Sequence, residues 1–187
     1  SVAGDSAQPA VWQVPGGQGL LELREGQSPR PWVLRWTGQD GAASYTSSAS
    51  LQLGERLAGK RIEWLARDRQ RVVLRWCEAS GEACKLALVS APGSWTWLPA
   101  YLSAEELDGS SFAALVDRVW LLPGGQILLL GRYDTTRELL LWADAAGTVL
   151  HRVFVPPLAA AFVGSSSAQS LAFWYLGDGA YDRGWEG

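Results

Sequence analysis

A few side chains in this 187-residue sequence have the chemistry to act on a substrate or hold a ligand. Two adjacent serines, Ser110 and Ser111, follow Asp108-Gly109 and precede Phe112, with Glu105 and Glu106 just upstream. A serine nucleophile needs a base within hydrogen-bonding reach. The single histidine, His151, lies far along the chain in a strand-like run, where a half-exposed structural role is expected. Glu105, Glu106 and Asp108 fall on one helical turn, where carboxylates are favoured by the helix dipole; nothing places two of them across a cleft, as glycoside hydrolysis requires. One histidine and two cysteines are too few for a multi-histidine or all-cysteine zinc site. Gly177-Asp-Gly-Ala-Tyr-Asp182 only faintly approaches a calcium loop, and both Pro-Gly-Gly-Gln stretches join strands instead of opening a helix under a phosphate. No catalytic set, metal or cofactor is therefore expected. The stretch from Glu105 through Asp108, Gly109, Ser110, Ser111 and Phe112 is expected to bind, not to react.

That stretch lies between two strand-like runs, Trp95 to Leu98 and Asp117 to Leu122. Ser103 with Glu106 has the spacing of a capping box, which predicts one short helix from Ala104. Asp108-Gly109 should end it, leaving the serines near a loop tip. Long irregular insertions on a rigid β scaffold are where binding residues concentrate. The plain alternative is a connection whose Phe112 and Leu115 pack inward.

The scaffold itself repeats. Val11-Trp-Gln-Val-Pro-Gly-Gly-Gln-Gly-Leu-Leu21 aligns without gaps on Val119-Trp-Leu-Leu-Pro-Gly-Gly-Gln-Ile-Leu-Leu129, and Glu63-Trp-Leu-Ala-Arg-Asp-Arg-Gln-Arg-Val-Val73 stands between them. Trp12/Gln18, Trp64/Gln70 and Trp120/Gln126 share the pattern, and a fainter copy starts at Phe173-Trp174. In each copy a short apolar strand, a turn and a second strand follow in order, as in Leu20 to Arg24, Val72 to Trp76 and Ile127 to Gly131. Glu138 to Ala143 and Thr148 to Val155 supply a third and a fourth strand. The fold expected is all-β: an incomplete or small β-propeller-like array of about three four-stranded antiparallel sheets, with one short helix in an inserted loop. As one domain, 1–187, it divides into repeats near 11–62, 63–118 and 119–172 with a remnant at 173–187. Trp12, Trp64 and Trp120 are expected to pack between sheets. Trp32, Trp36, Trp95, Trp97 and Trp185 stand outside the repeat and suit sugar stacking better; Trp95 and Trp97 share one strand face.

Composition narrows the partners. Sixteen basic against nineteen acidic residues give a net charge of −3, without a basic stripe for nucleic acid or a polybasic anchor for lipid. No apolar run is long enough to span a bilayer. Cys77 and Cys84 bracket a turn-rich stretch between two strands, Arg71 to Trp76 and Lys85 to Val89, so they form either a cross-strand disulfide or a pair of buried thiols. A disulfide would argue for an oxidising compartment. The small polar start, Ser1 to Gln8, fits a removed signal peptide or a trimmed initiator Met equally well.

The Val-Pro-Gly-Gly-Gln-Gly-Leu-Leu hairpin resembles the Pro-Asp-Gly hairpin of WD-repeat and Tol-type propellers. By size, the incomplete propeller and the serine-bearing loop Asp108-Gly-Ser-Ser-Phe112, the chain resembles the periplasmic immunity proteins that bacteria pair with type VI secreted peptidoglycan amidases. That resemblance implies an exported, periplasmic, non-enzymatic inhibitor. Its loop would enter the effector's groove and set Ser110 or Ser111 against the catalytic Cys and His of a secreted cysteine hydrolase. Two other readings are a periplasmic scaffold binding extended peptides along a sheet edge and a carbohydrate-binding β protein.

Overall fold

The computed structural model describes residues 11–16, 19–24, 31–40, 42–56, 59–156, 160–167, 170–175 and 182–186, with side chains at 20–24, 31–39, 42–56 and 59–156. The chain is all-β, with antiparallel pairing throughout the described strands. It divides into two compact units, Ser1–Leu98 and Pro99–Gly187.

The N-terminal unit contains two four-stranded meanders. The first runs β1 (Val11–Gly16), β2 (Gly19–Arg24), β3 (Trp32–Asp40) and β4 (Ala43–Leu51); the second runs β5 (Arg61–Arg67), β6 (Arg71–Cys77), β7 (Cys84–Ser90) and β8 (Ser94–Leu98). Period-two alternation puts Leu21, Leu23, Leu34 and Trp36 of the first sheet on one face, in a shared core with Val72, Leu74, Trp76, Ala87 and Val89 of the second. The opposite face of β6 is buried as well, at Val73, Arg75 and Cys77. Cys77 opposes Cys84 at the end of the β6–β7 ladder, and the two are joined by a disulfide.

In the C-terminal unit, β9 (Tyr101–Ser103), β10 (Ala113–Leu121), β11 (Ile127–Arg132), β12 (Glu138–Ala143) and β13 (Val149–Val155) form a five-stranded sheet. A three-stranded sheet follows, β14 (Ala160–Ser167), β15 (Ser170–Tyr175) and β16 (Asp182–Glu186). Leu128, Leu130, Leu140 and Trp142 make the core on one face of β11 and β12, with Leu122 and Val155. Ile127, Leu129, Leu139 and Leu141 on the other face are buried too, so these strands read as continuous apolar runs.

The described sheets thus have four, four, five and three strands, where about three of four with a remnant at 173–187 were expected. The extra strand arises because Tyr101–Ser103 folds back on the start of β10. Trp12, Trp64 and Trp120 occupy β1, β5 and β10, and the turns after β5 and β10 hold Gln70 and Gln126. Trp64 packs on the core of the first unit and Trp120 on that of the second. The side chain of Trp12 lies outside the described residues, as do Gln18, Ser1 to Gln8 and most of Gly177 to Asp182. Phe173 and Trp174 fall within β15, the middle strand of the last sheet, and that sheet begins at Ala160.

Candidate functional site

The serine-bearing segment is the connection of a hairpin. Ser103 pairs with Ala113, Leu102 with Ala114 and Tyr101 with Leu115, and burial of Leu102, Ala104 and Ala114 roots this stem. Residues 104–112 project from it. Helix α1 (Glu105–Asp108) takes Ala104 as its N-cap, and no side chain caps it. The expected capping box does not form, because Ser103 is held in β9 by its pairing with Ala113. Its hydroxyl accepts instead from the Glu105 N–H at 3.2 Å. Gly109 ends the helix as expected, at a φ of 74° that a side chain would strain, its N–H donating to the Glu105 carbonyl at 2.9 Å.

Beyond the helix, short-range hydrogen bonds set the shape. Asp108 Oδ1 accepts the Ser110 N–H at 2.8 Å, and Ser110 Oγ accepts the Phe112 N–H at 3.0 Å. These are the side-chain turns for which Asp and Ser are favoured in loops. The turn between β11 and β12 braces the loop from one side. Tyr133 donates its hydroxyl to Asp108 Oδ2 at 2.6 Å, and its ring meets that of Phe112 edge to face with centroids 5.3 Å apart. Phe154 of β13 continues the row, 4.9 Å from Tyr133. The Arg137 guanidinium lies 4.5 Å from the Phe154 ring centre and 5.0 Å from that of Tyr133. Arg152 reaches Glu106 at 2.8 Å, an exposed pair of small energetic weight.

The electrostatics follow from these contacts. The Tyr133 hydroxyl, with help from the Ser110 N–H, holds the Asp108 carboxyl below its ordinary range. Arg137 holds Asp134 down at about 2 and is itself raised by that partner. Asp108 is therefore a fixed anion at neutral pH, tied to the loop's own frame.

Of the sequence-predicted residues, Glu105, Asp108, Gly109, Ser111 and Phe112 are exposed and Ser110 is half-buried. Phe112, 51% exposed, does not pack inward as the plain alternative required, although Leu115 is half-buried. Ser110 Oγ accepts within the turn, whereas the Ser111 side chain is exposed. His151 stacks on Trp142 with ring centroids 5.2 Å apart. Strand alternation places it on the face opposite Arg152, the β13 side chain that reaches the loop.

Tyr133, Arg137, Arg152 and Phe154 were not singled out from sequence. The available signal was Asp134-Thr-Thr-Arg137, whose spacing lets Asp134 accept from the Thr136 and Arg137 backbone N–H groups, each at 2.8 Å, while Arg137 grips its second oxygen.

The tryptophans outside the repeat divide. Trp32 and Trp36 are 4% and 0% exposed, so neither offers a face to a sugar. Trp95 packs against the core, and Trp97, 5.0 Å from it on the same face of β8, is exposed. The Trp185 side chain lies outside the described residues. Among the described residues no helix is long and apolar enough to cross a membrane, and no cluster of three or more His, Cys, Asp or Glu is placed to hold a metal. No protein-family model matches the chain, and no curated protein is significantly similar to it.

Proposed function

We propose that the chain is a non-enzymatic protein-binding module of the periplasm, an immunity protein whose 105–112 loop plugs the active-site groove of a secreted cysteine peptidoglycan amidase. The single observation carrying this reading is the bracing of the loop: an exposed Phe112 and Ser111 at the end of a hairpin stem, fixed through Asp108 and Tyr133 to a second hairpin turn. A protrusion held in one conformation forfeits little entropy on binding, which is how rigid inhibitor loops reach high affinity. In this reading the Phe112 ring is the apolar anchor, and the Ser111 hydroxyl both donates and accepts at the enzyme's Cys and His. The successive meanders serve as blades of an incomplete propeller, a passive platform for the loop. The disulfide supports residence in an oxidising compartment.

The test is inhibition of peptidoglycan hydrolysis by a cysteine amidase encoded beside this chain. The wild-type chain is expected to abolish turnover at equimolar ratio. Ser111→Arg should weaken inhibition by about thirtyfold or more without changing the melting temperature, and Phe112→Ala by as much, with the small loss of stability that giving up its contact with Tyr133 entails. Undiminished inhibition by the double variant would remove the loop from the interface. Absence of inhibition, with weak capture of several extended peptides instead, would favour the scaffold reading.

A further inference from the structure

The loop spans only residues 105–112, far fewer than the about 20 to 30 residues that a stable interface uses on each side. A partner that takes the loop must rest on more of the C-terminal unit, and β13 is the strand that touches the loop and its brace. Arg152 Nη1 donates to Glu106 Oε2 at 2.8 Å, and the Phe154 ring lies 4.9 Å from that of Tyr133, which holds Asp108 and Phe112.

Strand β13 is also an edge. The sheet order is β13-β12-β11-β10-β9, and among the described residues β13 pairs with β12 alone. At the other edge β9 has three residues, whereas β13 has seven. Charge, proline and short length blunt an edge against further pairing. The run Val149-Leu-His-Arg-Val-Phe-Val155 contains neither Lys nor Pro, and its one arginine is engaged with Glu106. The ladder irregularity opposite Trp142 and Ala143 falls near its start, before Arg152.

The phase of the ladder decides which main-chain groups face outward. Tyr133 N–H donates to the Arg137 carbonyl at 3.2 Å, which makes that pair a bonded one. Alternation then bonds Leu139 and Leu141 to Gly131 and Leu129 of β11. The β12 residues between and beside them, Glu138, Leu140 and Trp142, turn their main-chain groups to Val155, Val153 and His151. Arg152 and Phe154 therefore direct their N–H and C=O groups away from β12. These are the two residues whose side chains meet the loop and its Tyr133 brace.

We infer that the partner that takes the loop also lays an extended segment along β13, its main chain bonded to the N–H and C=O groups of Arg152 and Phe154. The inference rests on the plugging reading of the loop. A row of alternating donors and acceptors is matched by another extended main chain, so the occupant is a segment of the enzyme bordering its groove.

The test is amide hydrogen exchange of the full chain, alone and saturated with the cysteine amidase encoded beside it. In the free chain the Arg152 and Phe154 amides should exchange faster than those of His151, Val153 and Val155, and in the complex they should slow by about tenfold or more. Arg152→Pro removes one outward donor, which an edge strand tolerates, and should weaken binding by about tenfold. Arg152→Ala keeps that N–H and gives up only the exposed pair with Glu106, so it should weaken binding by no more than about threefold. If the amidase binds and Ser111→Arg weakens the complex, but the two amides exchange as in the free chain, the inference falls while the plug stands. Protection of both amides with full affinity in Ser111→Arg would keep the edge and remove the plug. An amidase that does not bind overturns both, and protection that appears in the free chain as its concentration rises would place a second copy on β13 and overturn the inference.

Discussion

Removing the Cys77–Cys84 bond should lower the melting temperature of the N-terminal unit by several degrees, and the size of the effect can be worked from the chain. The bond closes a loop with a sequence separation of 7. Loop-closure entropy for so short a ring amounts to about 2 kcal/mol at room temperature. A unit spanning Ser1–Leu98 has an unfolding entropy of about 0.2 kcal/mol per degree, so the loss corresponds to roughly 10 °C. Two features bear on that figure. The β6–β7 ladder retains its other register pairs, from Arg71 with Ser90 to Trp76 with Lys85, so the hairpin survives. Both sulfurs are buried, with Cys77 2% and Cys84 8% exposed, so a reductant acts slowly on the folded chain and substitution is the cleaner perturbation. The assay is thermal unfolding followed by tryptophan fluorescence for the oxidised chain and for the Cys77→Ala/Cys84→Ala variant, with thiol titration of the denatured wild-type chain. Free thiols in the wild-type chain, or a variant melting within about 2 °C of it, would refute the reasoning and withdraw the support for an oxidising compartment.

Glu138, 7% exposed, receives Arg118 at 2.9 Å in the C-terminal unit; Glu138→Leu strands that guanidinium and should cost about 2 to 3 kcal/mol, less than a fully buried pair because Arg118 reaches solvent. Adding Arg118→Met should recover most of the loss in urea unfolding, and a double variant no more stable than the single one would contradict this. Asp134 is depressed from 3.8 to about 2 in the folded chain, so its contribution is complete above pH 4 or so and disappears as pH falls toward 2. The amide resonances of Thr136 and Arg137 should titrate with a midpoint near that lower value; a midpoint near the ordinary carboxyl value would show that the Arg137 contact does not hold in solution.

The strands were legible wherever an apolar run ended in turn chemistry. Glu138 to Ala143 and Leu20 to Arg24 match β12 and β2 to within a residue, and Asp144-Ala-Ala-Gly147 turns the chain into β13 by offering Asp144 Oδ1 to the Ala146 and Thr148 N–H groups. Strand β9 was not legible, because three residues carry no period and their pairing with β10 depends on a stem closed across a long connection. The same cause hid half of the loop site. Asp108, Ser110 and Phe112 shape the loop through neighbours two residues away, which sequence can suggest. Tyr133, Arg152 and Phe154 arrive from β11–β13 through register, which it does not encode locally.

Two hairpin turns share the same small device. Asp68-Arg-Gln-Arg71 and Asp134-Thr-Thr-Arg137 each use one carboxylate oxygen to collect backbone N–H groups and the other to hold the arginine three residues on. They do not occupy equivalent places: the first joins β5 to β6 immediately after the repeat tryptophan's strand, whereas the second joins β11 to β12 one hairpin later. Shared ancestry of the repeats therefore does not account for the match; local turn chemistry does. What the device does is the same in both. It cancels its own charge and rigidifies a hairpin end, so the groups beside it are held in fixed positions: the Asp68 and Arg69 carbonyls toward Trp36 and Ser47 in one case, Tyr133 against Asp108 and Phe112 in the other. A sheet supplies stiffness along its strands but little at its turns. At these two hairpin ends an Asp-x-x-Arg bridge makes up that deficit.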